Sequence, residues 1–222
     1  MYDVLVSAGV GLLLLMFLWP TQSTGKRLLK SWKVTDPTPA QIDDAIRYLK
    51  RRRLLYPVLF VGMSFLPFAS GRGLGSLAAV VLGGTLLAEL IAVALPREGR
   101  ERVASLTPRG LFDIGSQYVL GAYAAIVVIT LVWLLVHLDI AQLPVFVVSV
   151  AAVAAVWWAA VARPADGDEV VDRALRTRSV HVSAGIGAAM VCALVGGKFL
   201  FVGIVAWVLM ANTNVVSSKI VR

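Results

Sequence analysis

Charge is scarce in this chain, and acid is scarcer than base. Charged residues fill 15% of the 222 positions and hydrophobic ones 59%, with a mean hydropathy of +0.82. That leaves too little polar surface to cover a water-soluble globule. The single cysteine, Cys192, lies in an apolar run; a lone thiol closes no intrachain disulfide and builds no CxxC centre, so it reads as a small buried hydrophobe. The two histidines, His137 and His181, come without HExxH or paired His/Asp spacing, which leaves no metal site in the pattern. GxxxxGK(S/T) and GxSxG are missing as well, so Walker-type nucleotide binding and serine-hydrolase chemistry have no foothold. No polar stretch is long enough for a soluble catalytic domain, and no cofactor is implied.

What remains is apolar. Runs occupy residues 4–19, 54–69, 74–95, 114–138, 143–162, 182–195 and 199–216, against the roughly 17 to 25 residues that a membrane-spanning helix takes. The first run has no basic segment before it and no A-x-A cleavage site, so it is expected to be an uncleaved anchor. Of the 21 lysines and arginines, nine lie in residues 21–53, four in 96–113, four in 163–181 and two after the last run; only Arg72 and Lys198 fall on the other side. By the positive-inside rule the expected fold is all-α, a polytopic transmembrane helix bundle of about seven spans, N-out and C-in, with basic amphipathic cytoplasmic helices. The count drops to six if Gly196-Gly197-Lys198 is a kink and the last two runs fuse. The whole of 1–222 then forms a single integral membrane domain, with 21–53 as a cytoplasmic basic amphipathic segment and 96–113 and 163–181 as shorter cytoplasmic loops. The formal charge of +8 is accounted for by those loops, and nucleic acid is not an expected partner. The excess of arginine, alanine, valine and glycine suits a bacterial cytoplasmic membrane protein.

Residues 38–53 are the most informative. Thr38 with Gln41 has capping-box spacing and Pro39 suits a first helical turn. Ile42, Ala45, Ile46 and Leu49 then form one apolar stripe. Arg47, Lys50, Arg51, Arg52 and Arg53 are expected to contact the anionic lipid of the inner leaflet or a protein partner. Asp43-Asp44-Ala45-Ile46-Arg47 is echoed by Asp172-Arg173-Ala174-Leu175-Arg176, a faint repeat of the kind found in transporters.

Glu89 is the acid set well inside an apolar run. It is a candidate proton or cation site, or the partner of Arg97 or of a residue in 51–53. Asp113 suits a helix start, and Asp166 or Asp168 suits an N-cap. Pro57 and Pro67 interrupt the second run. Gly83 and Gly84, Gly121 and Ala125, and Ser183 and Gly187 stand at spacings that let helices pack closely, within the chain or in a homo-oligomer. The leading reading is a non-enzymatic integral membrane subunit or accessory protein of a transport or envelope complex. The alternative is a small cation- or proton-coupled permease using Glu89; weaker still is a lipid-modifying membrane enzyme using Asp113 or the acids of 166–172.

Overall fold

The computed structural model describes residues 2–65, 74–95, 102–103, 110–166 and 168–212. The described chain is helical. In order come α1 (Tyr2–Phe17), α2 (Gln22–Ser31), α3 (Pro39–Leu54), α4 (Tyr56–Met63), α5 (Leu74–Ala94), α6 (Leu111–Ile114), α7 (Gln117–Val136), α8 (Leu143–Ala162), α9 (Glu169–Val195) and α10 (Gly197–Ala211). A two-residue antiparallel pairing joins 102–103 to 165–166. Four segments, Leu77–Ala94, Gln117–Val136, Ile140–Ala162 and Glu169–Val195, are long and apolar enough to cross a membrane. The pair α1 and α2, bent by 86°, makes a fifth if taken as one span.

The bundle is built around α9. Of its span 83% is buried, against 28% for α7 and 33% for α8, so α9 is the axis and the others form its wall. Small residues make this geometry work. A Cβ on Gly187 would stand 2.4 Å from Val153 Cγ2 and 3.0 Å from Tyr123 Cε2, and one on Gly185 would stand 2.6 Å from Trp207 Cδ1. Without side chains there, α7, α8 and α10 come close to the α9 backbone and gain dispersion contact along their length. Ser183 accepts a hydrogen bond from the Trp157 indole at 3.2 Å. Gly83 and Gly84 of α5 are filled by Met63 and Phe60 of α4, whose side-chain atoms would lie 2.3 and 2.4 Å from a Cβ at those positions. Gly121 meets nothing within 4 Å, and Ala125 shares its exposed face of α7.

Close contacts of Gly185 with Trp207 and of Gly203 with Ala189 run in opposite sequence directions, so α9 and α10 form an antiparallel hairpin. The chain reverses at Gly196, whose φ of +139° lies in a region that glycine alone enters freely. The chain thus turns at Gly196, with residues 197 and 198 already in α10, and the last two runs do not fuse.

At the end of the bundle that carries α2 and α3, Leu29, Ile42, Ala45, Ile46 and Leu49 pack with Ala92, Val171, Ala174 and Leu175. Thr38 Oγ1 accepts from the Gln41 amide at 3.3 Å while Gln41 Oε1 accepts from the Thr38 amide at 2.9 Å, which starts α3 where the chain must turn. Its apolar stripe covers α2 and α9 instead of facing lipid, because both copies of the Asp-x-Ala-aliphatic-Arg pattern bury their Ala and aliphatic residues in this one cluster. Residues 169–181, expected as loop, are the first half of α9. Asp168 caps them, its Oδ1 accepting from the amides of Val170 at 3.0 Å and Val171 at 3.1 Å. Asp113 lies before α7 and accepts from the Gly110 amide at 2.8 Å.

Candidate functional site

The first half of α9 carries Asp172, Arg176, Thr177, Arg178, Ser179 and His181, all buried. Charged groups withdrawn from water cost several kcal/mol each unless they are matched, so their partners define what this region does.

Glu89 on α5 is completely buried. Arg52 Nε of α3 stands 2.8 Å from Glu89 Oε2, out of line for a hydrogen bond, so the contact is an ion pair held by charge. Arg178 Nη1 of α9 lies 3.7 Å from the same oxygen. The Tyr48 hydroxyl donates to Glu89 Oε1 and accepts from Arg178 Nη1 at 3.1 Å. Ser179 Oγ donates to the Leu175 carbonyl at 3.0 Å and lies 3.0 Å from the Tyr48 oxygen. Arg178 also lies over the Tyr48 ring, 5.5 Å from its centroid, and Arg52 lies 5.9 Å from that of Tyr56. Three helices thus meet on one carboxylate.

Tyr48 works here as a neutral donor. Burial first, and the charge of Glu89 second, push its phenol up to about 12, against the opposing pull of Arg178 and Arg52. Arg53 is held below the ordinary arginine range by burial and, further down the order, by the charges of Arg52 and Arg178, with Tyr56 opposing. The cluster therefore has more positive than negative charge.

A second network sits one to two turns nearer the start of α9. Asp172 bridges Arg163 at 2.6 Å and Arg176 at 2.7 Å. Arg176 Nη1 donates to the carbonyls of Ala160 at 2.7 Å and Arg163 at 2.8 Å, and Nη2 to that of Pro164 at 2.7 Å. These are carbonyls that the end of α8 leaves without helical donors, so this arginine staples α8 to α9. His181 Nε2 accepts from the Ser116 amide at 3.1 Å and its ring meets Trp32 edge-on at 5.3 Å. His137 stacks on Trp133 at 3.9 Å at the far end of α7, some 30 Å from Ser116 at about 1.5 Å per residue.

Among the expected contact residues, Arg47 and Lys50 are exposed, Arg51 and Arg53 half-buried, and Arg52 only 6% exposed. Arg47 pairs with Asp44, Lys50 lies 5.8 Å from the Trp19 ring, and Arg51 donates to the Leu95 carbonyl at 3.3 Å. Pro57 stands in the first turn of α4, where its missing N–H leaves no carbonyl stranded; Pro67 and Arg97 lie outside the described residues. Among the described residues no three His, Cys, Asp or Glu side chains gather as a metal site. No protein-family model, curated protein or solved structure matches the chain.

Proposed function

We propose that the chain is a non-enzymatic integral membrane subunit of a bacterial cytoplasmic membrane complex, in which α2 and α3 form a basic cytoplasmic platform fixed to the membrane helices. The observation that carries this reading is the closure of Glu89. Both carboxylate oxygens face cationic or hydroxyl partners drawn from α3 and α9, so the acid reads as a structural clasp between the platform and the bundle. A proton- or cation-coupled permease needs a carboxylate that exchanges its ligand, and this one is occupied on all sides.

Seven spans, N-out and C-in, remain the proposed topology. It is supported by the antiparallel packing of α9 on α10 and of α4 on α5, and by the grouping of nineteen of the 21 cationic residues on one side, as inner-leaflet charge favours. Lys26, Arg27, Lys30, Arg47 and Lys50 are exposed on α2 and α3 and would meet the anionic inner leaflet or a cytoplasmic partner.

Purification of the full chain from its native membrane in mild detergent tests the reading. A stoichiometric partner is expected, and is lost in the triple variant Arg47→Glu, Lys50→Glu, Arg51→Glu. A solitary chain that drives a cation flux in proteoliposomes, abolished by Glu89→Gln, would replace this reading with the permease.

A further inference from the structure

Beside the Glu89 clasp lies an open cleft of about 390 Å³. Its polar end is made by Arg52 and Arg178, its wall by Val182, Trp207 and Val208, and Asn212 stands at its rim. The two arginines are 6% and 9% exposed. Each guanidinium carries five N–H donors. Arg52 meets Glu89 through Nε, and Arg178 spends Nη1 on Tyr48 and Glu89. The two Nη of Arg52 and Nη2 of Arg178 take no part in those contacts. Two buried cations therefore share one buried carboxylate, and their spare donors open on the cleft. Such an excess of charge in a low-dielectric setting attracts an anion.

The wall says what kind. Trp207, Val208 and Ala211 belong to α10, whose outer face continues away from the cleft through Leu209, Val205 and Phe201, all exposed. A ligand seated here has its charge against two guanidinium forks and its body along an apolar helix face. Planar forked donors match phosphate oxygens in pairs.

We propose that this cleft is a binding site for the phosphate group of an anionic phospholipid, with an acyl chain laid along α10. The inference rests on the membrane-embedded reading above and deepens it, moving specific lipid recognition from the exposed lysines and arginines to two arginines inside the bundle.

The test uses the full chain in mild detergent, titrated with phosphatidylglycerol and read by native mass spectrometry. One lipid per chain is expected to be retained. Arg178→Gln should weaken retention about tenfold, the effect of losing charge-assisted hydrogen bonds to one guanidinium. Ala211→Trp fills the cleft from its α10 wall and leaves Glu89, Arg52, Arg178 and Tyr48 unsubstituted; it should weaken retention as much, and it decides the matter if Arg178→Gln fails to fold. Lys198→Gln, exposed at the opposite end of α10, should change nothing. Retention that survives Ala211→Trp but falls with Lys198→Gln would overturn the site in favour of diffuse surface attraction. Full displacement by inorganic phosphate at matched concentration would assign it to a soluble phosphate compound and overturn the lipid. Absence of a protein partner in the purification above would leave this result standing, so the two readings fail separately.

Discussion

Glu89→Gln keeps the shape of the side chain and removes its charge. In the structure this leaves Arg52 and Arg178, 6% and 9% exposed, facing each other without a carboxylate, and turns a hydrogen bond from Tyr48 into one accepted by a neutral amide. Breaking one partner out of a buried ion pair costs about 3–5 kcal/mol. For a chain of this size each kcal/mol moves the unfolding midpoint by roughly 2–4 °C, so the variant should unfold about 6–20 °C below the wild type. The readout is tryptophan fluorescence on heating in mild detergent. Glu169→Gln is the matched control. It breaks a pair to Arg173 at 3.6 Å whose side chains are 68% and 65% exposed, which is screened by water and should shift the midpoint by no more than about 2 °C. Adding Arg52→Gln to Glu89→Gln removes one of the stranded cations and should recover part of the loss. Equal midpoints for the two single variants would refute the argument, because burial would then have made no difference to the ion pair.

Three further outcomes follow from the same geometry. The Tyr48 phenol has its folded pKa raised from about 10 to about 12 by burial and Glu89; its contribution to stability is complete below pH 10 and lost as pH rises towards 12. The 295 nm phenolate absorbance of wild type minus Tyr48→Phe should therefore appear near pH 12, and a step near pH 10 would contradict the buried donor. Gly185→Val drives a side chain into Trp207, 2.9 Å from its Cα, and should cost about 1–3 kcal/mol by overpacking; Gly121→Val, with nothing within 4 Å, should lie within about 0.5 kcal/mol of the wild type. Both are read by the same thermal melt. Asp168→Ala removes a cap that accepts two amide hydrogens and should cost about 1 kcal/mol, with amide exchange rising first over 169–172.

The apolar runs made the helices of the bundle legible, and α8 begins and ends where its run does. The Thr38, Pro39 and Gln41 spacing marked the start of α3 for a local reason, a hydrogen-bond pair within four residues. The first half of α9 was harder, because Thr177, Arg178, Ser179 and His181 look like loop when their burial is unknown. They are helical because the C-cap of α2, helix α3 and the N-cap of α7 supply Trp32, Tyr48 and the Ser116 amide as partners, none of which is near in sequence. The pairing of Glu89 with a residue of 51–53 follows from shared depth, whereas Arg178 stands 89 positions away and had one sequence signal: the Asp-x-Ala-aliphatic-Arg echo at 172–176, which marks the start of α9 as a helix like α3. In sequence Arg52 is one of four consecutive basic residues, 50–53, expected as surface contacts. Helical rotation takes it inward with Tyr48, Leu49 and Tyr56, while Arg47 and Lys50 turn outward.

One carboxylate, Glu89, fastens the basic helix α3 to the helix bundle. Hydrogen exchange of the full chain in mild detergent, wild type against Glu89→Gln, tests it directly. In the variant, exchange over Pro39–Leu54 is expected to quicken while that over Leu143–Ala162 stays unchanged. Unaltered protection of α3 in the variant would contradict it.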